Sequence, residues 1–305
     1  MRFATALLVG ATIVSSIGAA AAQELDWQKV DDALGRKAAV VAGDVHRYGF
    51  PRTDLTVTLD GVTIKPALAL GGWVAFKAMA SKDMGSEAMV MGDLVLLETE
   101  INPVMSKLIE NGVQITAVHN HLLRANPATF YMHVGGHGDA VKMATAIRAA
   151  LAESKTPLTP PAAPASPPPA IDLDTARLDQ IIGAKGQNNG GVYGFGVPRR
   201  DPISEGGMAV APAGPLGGAT GIGFQPTGNG HAAITGDFVM VASEVNPVIK
   251  ALRAGGIEVT ALHSHMLDEE PRLFFMHFWA NDDAVKLAKT LREALDAMAN
   301  VKNAL

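Results

Sequence analysis

The sequence predicts an α+β protein built from one unit used twice, and three observations carry that expectation. The stretch QITAVHNHLLRANPATFYMH (114–133) recurs as VTALHSHMLDEEPRLFFMH (259–277), and an internal repeat of this kind decides an architecture. The tract PLTPPAAPASPPPA (157–170) lies between the copies and has the composition of an extended, semi-rigid linker. Strand-like and helix-like hydrophobic periods then follow one another in the same order on both sides of it. The expected division is a signal peptide over 1–22, a first repeat over 23–154, a Pro/Ala-rich linker over 155–170 and a second repeat over 171–305.

The opening MRFATALLVGATIVSSIGAAAAQ has a basic end at Arg2, a short apolar run and small residues before Gln23, which is the pattern of a cleaved secretory signal. The run is too short for a stable membrane span, which needs about 20 apolar residues. The expected location is therefore periplasmic or secreted. Each repeat then begins with a short helix, VDDALGRKA or LDQIIGAKG. VHRYGFPRTD (Val45–Asp54) corresponds to VYGFGVPRRD (Val192–Asp201), and WVAFKAM (Trp73–Met79) to GIGFQPT (Gly221–Thr227). Next come a strand and a helix, AMVMGDLVLLETEINPVMSKLIENG in one copy and AAITGDFVMVASEVNPVIKALRAGG in the other. Asn102, Pro103 and Gly112 read as helix start and stop, and Asn246, Pro247 and Gly255 repeat those signals. The closing helices carry apolar residues at helical spacing behind Asp139 and Asp283, where a negative charge suits the N-terminus. The order strand–helix–strand–strand–helix is a ferredoxin-like β-α-β-β-α layer with both helices on one face. Two such layers are expected to associate as one body about a pseudo-two-fold axis.

Between the second and third of these strands lies a histidine hairpin. Alternation puts His119 and His121 on one face. A turn centred near Asn126 would set His133 opposite His119 and Tyr131 opposite His121, and opposed residues have Cβ atoms about 4.5–5.5 Å apart. Val118, Leu122, Phe130 and Met132 would take the other, core-facing side. His263, His265 and His277 repeat the pattern. Three imidazoles from neighbouring strands suit a divalent ion, zinc first, with copper, nickel, iron or manganese also compatible with His, carboxylate and water ligation. Glu100 and Glu244, each at the end of the preceding strand, are candidate carboxylate ligands, and His137 is a further candidate. The first copy is the richer: its His46, Glu98 and His137 correspond to Tyr193, Ala242 and Asn281. The first site is accordingly expected to be the tighter. Met132 and Met276 belong to the core by parity, which argues against a methionine-rich copper site. Arg52 and Arg199 are expected to pair with Asp54 and Asp201.

The bland alternatives are a histidine cluster that only hydrogen-bonds within itself, and glutamates that serve only the helix N-terminus. Other chemistries find less support. The sequence has no cysteine, so it offers no thiol nucleophile, no thiolate metal site and no acylation site. A net charge of −5 gives no basic footprint for nucleic acid. GATGIGF lacks the context of a dinucleotide site, and no G-x-S-x-G elbow is present.

The GD-(L/F)-V…E-x-NPV strand–helix and the H-x-H…F-x-M-H hairpin, in a doubled and exported chain, resemble the LppY/LpqO-type proteins, a bacterial family of unknown function. The resemblance implies export and this doubled fold over nearly the whole mature chain, and it implies no activity. The missing acylation cysteine points to a soluble exported form. The expected function is metal binding, with metal-dependent hydrolysis as the chemistry such a centre offers. The alternative is a non-catalytic periplasmic binding module for a small-molecule or cell-envelope ligand or for a protein.

Overall fold

The computed structural model describes residues 25–79, 87–160, 167–210, 214 and 216–298, so the expected signal peptide lies outside the described residues. In the first half the elements are α1 (Trp27–Leu34), β1 (Ala39–Val41), β2 (Val45–Pro51), β3 (Thr58–Leu59), β4 (Val62–Thr63), α2 (Pro66–Ala69), β5 (Gly71–Ala78), β6 (Glu87–Leu97), α3 (Glu98–Glu110), β7 (Gln114–His119), β8 (Thr129–Asp139) and α4 (Ala140–Leu151). The second half has α5 (Thr175–Ile182), β9 (Gln187–Asn189), β10 (Val192–Pro198), β11 (Ile203–Glu205), β12 (Met208–Val210), β13 (Ala219–Gly228), β14 (His231–Val241), α6 (Ala242–Ala254), β15 (Glu258–His263), β16 (Glu269–Glu270), β17 (Leu273–Asp283) and α7 (Ala284–Asp296).

Each half forms a six-stranded antiparallel sheet. The orders, β1-β2-β5-β6-β8-β7 and β9-β10-β13-β14-β17-β15, are the same once the repeats are matched. β8 lies between β6 and β7, so the strand–helix–strand crossover spans a third strand. One face of the first sheet packs on α1, α3 and α4 through Tyr48, Phe76, Val90 and Met132. The corresponding face of the second sheet packs on α5, α6 and α7 through Phe195, Phe224, Phe238 and Met276. The opposite faces meet in two smaller apolar clusters that mix both halves: one joins Ala75, Met89 and Met91 to Val239 and Phe275, the other joins Val95, Leu122 and Tyr131 to Ala233 and Trp279. The layers therefore run helix, sheet, sheet, helix, with the histidine-bearing faces buried at the centre.

Local signals explain most boundaries. Gly35 and Gly183 end α1 and α5 in the left-handed conformation. The Asp139 and Asp283 carboxylates cap α4 and α7 by accepting from the backbone N–H of Lys142 and Lys286. The helix expected to start at Asn102 instead starts one turn earlier, at Glu98, with Pro103 inside it. Glu100 makes this start possible, because its carboxylate accepts the Leu97 N–H at 2.8 Å and satisfies the first turn.

The hairpin register also differs from the expectation. His119 pairs with Tyr131, and Ala117 with His133, with a bulge between Ile115 and Ala117. A bulge places two residues opposite one, and residues 120–128 form a wide loop rather than a tight turn. The shift is by two residues, so every histidine keeps its face. Leu122 lies beyond the end of β7 and packs between the sheets, not on the helix side. Residues at the start of the expected linker touch the first half: Thr156 is buried, and Arg36 donates to the carbonyls of Pro157 and Leu158 at 3.0 and 2.9 Å.

Candidate metal centre

β6 is buried along almost its whole length, and Asp93 is its one buried charged residue. Pairing places Asp93 opposite His133 on β8, and in the second half Asp237 opposite His277 on β17. β7 and β15 add His119 and His263 at their ends, and the loops that follow add His121 and His265. The two sheets face each other, so the histidines of both halves meet in a single cluster. His119 and His263 stack at the middle with ring centroids 3.5 Å apart. His121 stacks on His277 at 3.6 Å, and His133 on His265 at 3.8 Å. Exchanging the halves turns one of these cross pairs into the other. Tyr131 and Phe275 back the outer rings, 3.3 Å from His121 and 3.5 Å from His265.

The hydrogen bonds decide which nitrogen faces the centre. Nδ1 of His277 lies 2.7 Å from the Gly236 carbonyl; Nδ1 of His119 and His263 lie 3.3 and 3.2 Å from the carbonyls of Asn120 and Ser264. A carbonyl only accepts, so these Nδ1 atoms carry the proton and Nε2 keeps its lone pair. Nε2 of His119, His121, His133, His263, His265 and His277 is in every case buried without a hydrogen-bond partner, as is one oxygen each of Asp93 and Asp237. Burial pulls the imidazoles down, His119 to about 4 and His263 to about 3, and repulsion between the rings adds to it at His263. The other four lie well below the usual histidine value for the same two reasons. Burial pushes Asp93 up to about 7 against the pull of Arg47, and burial together with the nearby Asp93 raises Asp237 well above the usual carboxylate range. Neutral imidazoles with bare lone pairs beside carboxylates form a donor set for a cation.

Four overlapping groups have ligand atoms within 4.8 Å of one another: Asp237 with His263, His265 and His277; Asp93 with His121 and His133; His119 with His133 and His263; and His119 with His121 and His277. Two of the four draw on both halves, and together they position His and Asp side chains to hold a metal ion.

The sequence matches, over residues 28–153 and again over 176–297, the family described as Domain of Unknown Function (DUF1259). The chain belongs to that family. No curated protein sequence matches it. Two solved structures align with this DUF1259 protein over 86% of its length. They are the trimeric bacterial microcompartment shell protein PduB, at 13% identity, 90% coverage of that chain and a TM-score of 0.20, and EtuB from Clostridium kluyveri, at 8% identity, 89% coverage and a TM-score of 0.19. Likenesses this distant carry no argument.

Of the residues singled out in the sequence, the DUF1259 repeats bring together the six hairpin histidines and leave out the rest. Glu100 is not at the cluster: its carboxylate accepts from Arg52 at 2.6 and 3.2 Å and from the backbone N–H groups of Leu97 and Lys155. Glu244 is held likewise by Arg199 at 2.5 Å and by the Val241 N–H. These glutamates serve the helix start and the buried arginines, which also pair with Asp54 and Asp201 as expected. His137 sits near Gly206, His46 stacks on Trp27 at 3.5 Å, and Glu98 opens α3; none joins a ligand group. The expectation of a richer first site and a poorer second one therefore gives way to one shared constellation. Sequence reasoning missed Asp93 and Asp237. The signal was present, since burying an aspartate inside the apolar run MVMGDLVLLE is costly unless the carboxyl is paired, liganded or protonated.

Proposed function

We propose that this DUF1259 protein is an exported, periplasmic or secreted protein that binds a divalent metal, zinc first, in one centre supplied by both halves. The observation that carries the reading is the convergence of six buried Nε2 atoms that make no hydrogen bond, three of them facing the Asp93 or Asp237 carboxylate, His265 at 3.3 Å. Lone pairs left bare in a buried site cost about 1–3 kcal/mol each, and a bound cation removes that cost. The ligands would come from His119, His121, His133, His263, His265 and His277, with Asp93 and Asp237. Copper, nickel, iron and manganese fit the same donors. A divalent ion at such a centre supplies Lewis acidity and lowers the pKa of water, which is the basis for metal-dependent hydrolysis as its activity. The protein's part is to keep the imidazoles neutral and oriented through the carbonyls that accept from Nδ1. The matched strand orders support two ferredoxin-like layers about a pseudo-two-fold axis, and the repeated GD and H-x-H motifs support kinship with the LppY/LpqO-type proteins.

Metal analysis of protein purified without a histidine tag tests this reading. Stoichiometric divalent metal, lost on chelation, is expected, and protein that neither carries nor takes up metal would overturn it. Mass spectrometry of secreted protein, expected to begin at or near Gln23, tests export.

A further inference from the structure

Beside the histidine cluster, between the two sheets, lies a cavity of about 440 Å³, within the range of small-molecule sites. It exists because the halves differ there. β2 and β5 contribute Arg47 and Trp73, while the corresponding positions of β10 and β13 are Gly194 and Gly221. A Cβ placed on Gly221 would meet nothing within 4 Å, so the missing side chain is itself part of the space. The Arg47 guanidinium lies 3.8 Å over the Trp73 ring, within reach of the Asp93 charge. Thr235 lines the cavity, is 3% exposed, and has a buried hydroxyl without a hydrogen-bond partner. Its counterpart in the first half is Met91, which is packed in an apolar cluster. His121, His277 and Asp237 form the edge shared with the cluster.

We propose that this cavity receives a small organic oxyanion, a carboxylate or a phosphate ester, gripped by Arg47 and Thr235 and reaching the His121–His277 edge of the metal centre. A planar guanidinium fixed on an indole presents paired donors that match either oxyanion, and the Thr235 hydroxyl supplies one more. The site is asymmetric although the histidine cluster is built from equivalent positions. One ligand per chain is therefore expected. The proposal rests on the metal reading only for what the ligand meets at its inner end; Arg47, Trp73, Thr235 and the glycine-lined space stand without it.

The test is calorimetric titration of the mature chain at neutral pH, zinc-loaded and chelator-stripped, with inorganic phosphate in one arm and malonate in the other. One-to-one binding is expected in at least one arm, and which arm responds tells a phosphate ester from a carboxylate. Arg47→Met should weaken it about tenfold or more, and Arg47→Lys less. Gly221→Leu fills the space from its glycine wall; it should abolish binding in a chain that still folds, as its melting temperature checks. No binding in either arm, or binding indifferent to both Arg47→Met and Gly221→Leu, would overturn the proposal. Arg47-dependent binding to a protein that takes up no zinc would keep the cavity site and remove the metal centre. Zinc uptake without Arg47-dependent binding would do the reverse.

Discussion

Thr116 donates its hydroxyl to the backbone carbonyl of His265 at 2.6 Å, and Thr260, its counterpart, donates to the carbonyl of His121 at the same distance. Each bond runs from a strand of one half to a histidine of the other. The loops that carry the outermost rings are therefore anchored on the opposite repeat, so the geometry of the centre depends on the docking of the halves.

Replacing both threonines by valine preserves volume but leaves two carbonyls without these donors. Each lost bond should cost about 0.5–1.5 kcal/mol. A lower melting temperature is expected together with weaker zinc binding, both measured on the same preparation. Zinc affinity unchanged in the double variant would show that the anchoring does not position the rings.

A shared centre predicts that the halves are equally necessary. His119→Ala with His121→Ala should remove most bound metal, and so should His263→Ala with His265→Ala, because two of the four ligand groups mix histidines of both repeats. Elemental analysis of the two variants checks this. Full occupancy retained by the second variant would restore the picture of two unequal sites.

The repeat and the order of elements were legible because they rest on local signals: Gly112 and Gly255 as helix stops, Asp139 and Asp283 at helix N-termini, alternation on the strands. The face shared by His119, His121 and His133 was legible for the same reason, and it survived a register shift of two. What the sequence could not supply was the partner of each face. That His119 stacks on His263 depends on the docking of two sheets whose residues lie 144 positions apart, and no local period encodes it. Glu100 could be read either way, because a glutamate at a strand end looks the same in sequence whether it meets a metal or, as its carboxylate does here, Arg52. Asp93 was visible as a charge in an apolar strand, and strand pairing alone would have set it opposite His133.

Glu100→Ala separates the two roles of that glutamate. Arg52 is fully buried and keeps its charge through Glu100 and Asp54, so removing Glu100 leaves a buried guanidinium with half its carboxylate partners. Loss of one member of a buried pair costs about 3–5 kcal/mol. A large fall in denaturation midpoint with metal content intact is expected. Loss of metal from protein that remains folded would reinstate Glu100 as a ligand.

The pH dependence of the metal-free protein follows from the buried titrating groups. Unfolded histidine titrates near 6.5, whereas the six clustered rings titrate lower in the fold, His119 at about 4 and His263 at about 3. Below about 6.5 the unfolded chain binds protons that the folded chain refuses, so stability is full above that pH and falls as pH drops, by up to about 1.4 kcal/mol per pH unit for each ring. Asp93 and Asp237 act oppositely. Their folded values are raised: between roughly 4 and its folded value of about 7, Asp93 holds a proton that the unfolded carboxylate has released, and Asp237 is shifted in the same direction. Six groups outweigh two, and the melting temperature of chelator-stripped protein should fall from pH 7 to pH 5.5. Asp93→Asn with Asp237→Asn removes the opposing pair and should steepen that fall. Because the rings stay neutral well below 6.5, zinc should be retained at pH 5.5, lower than free imidazole would hold it. A flat melting profile in the stripped protein, or zinc released already near pH 6.5, would mean that the cluster is open to water and not buried between the sheets.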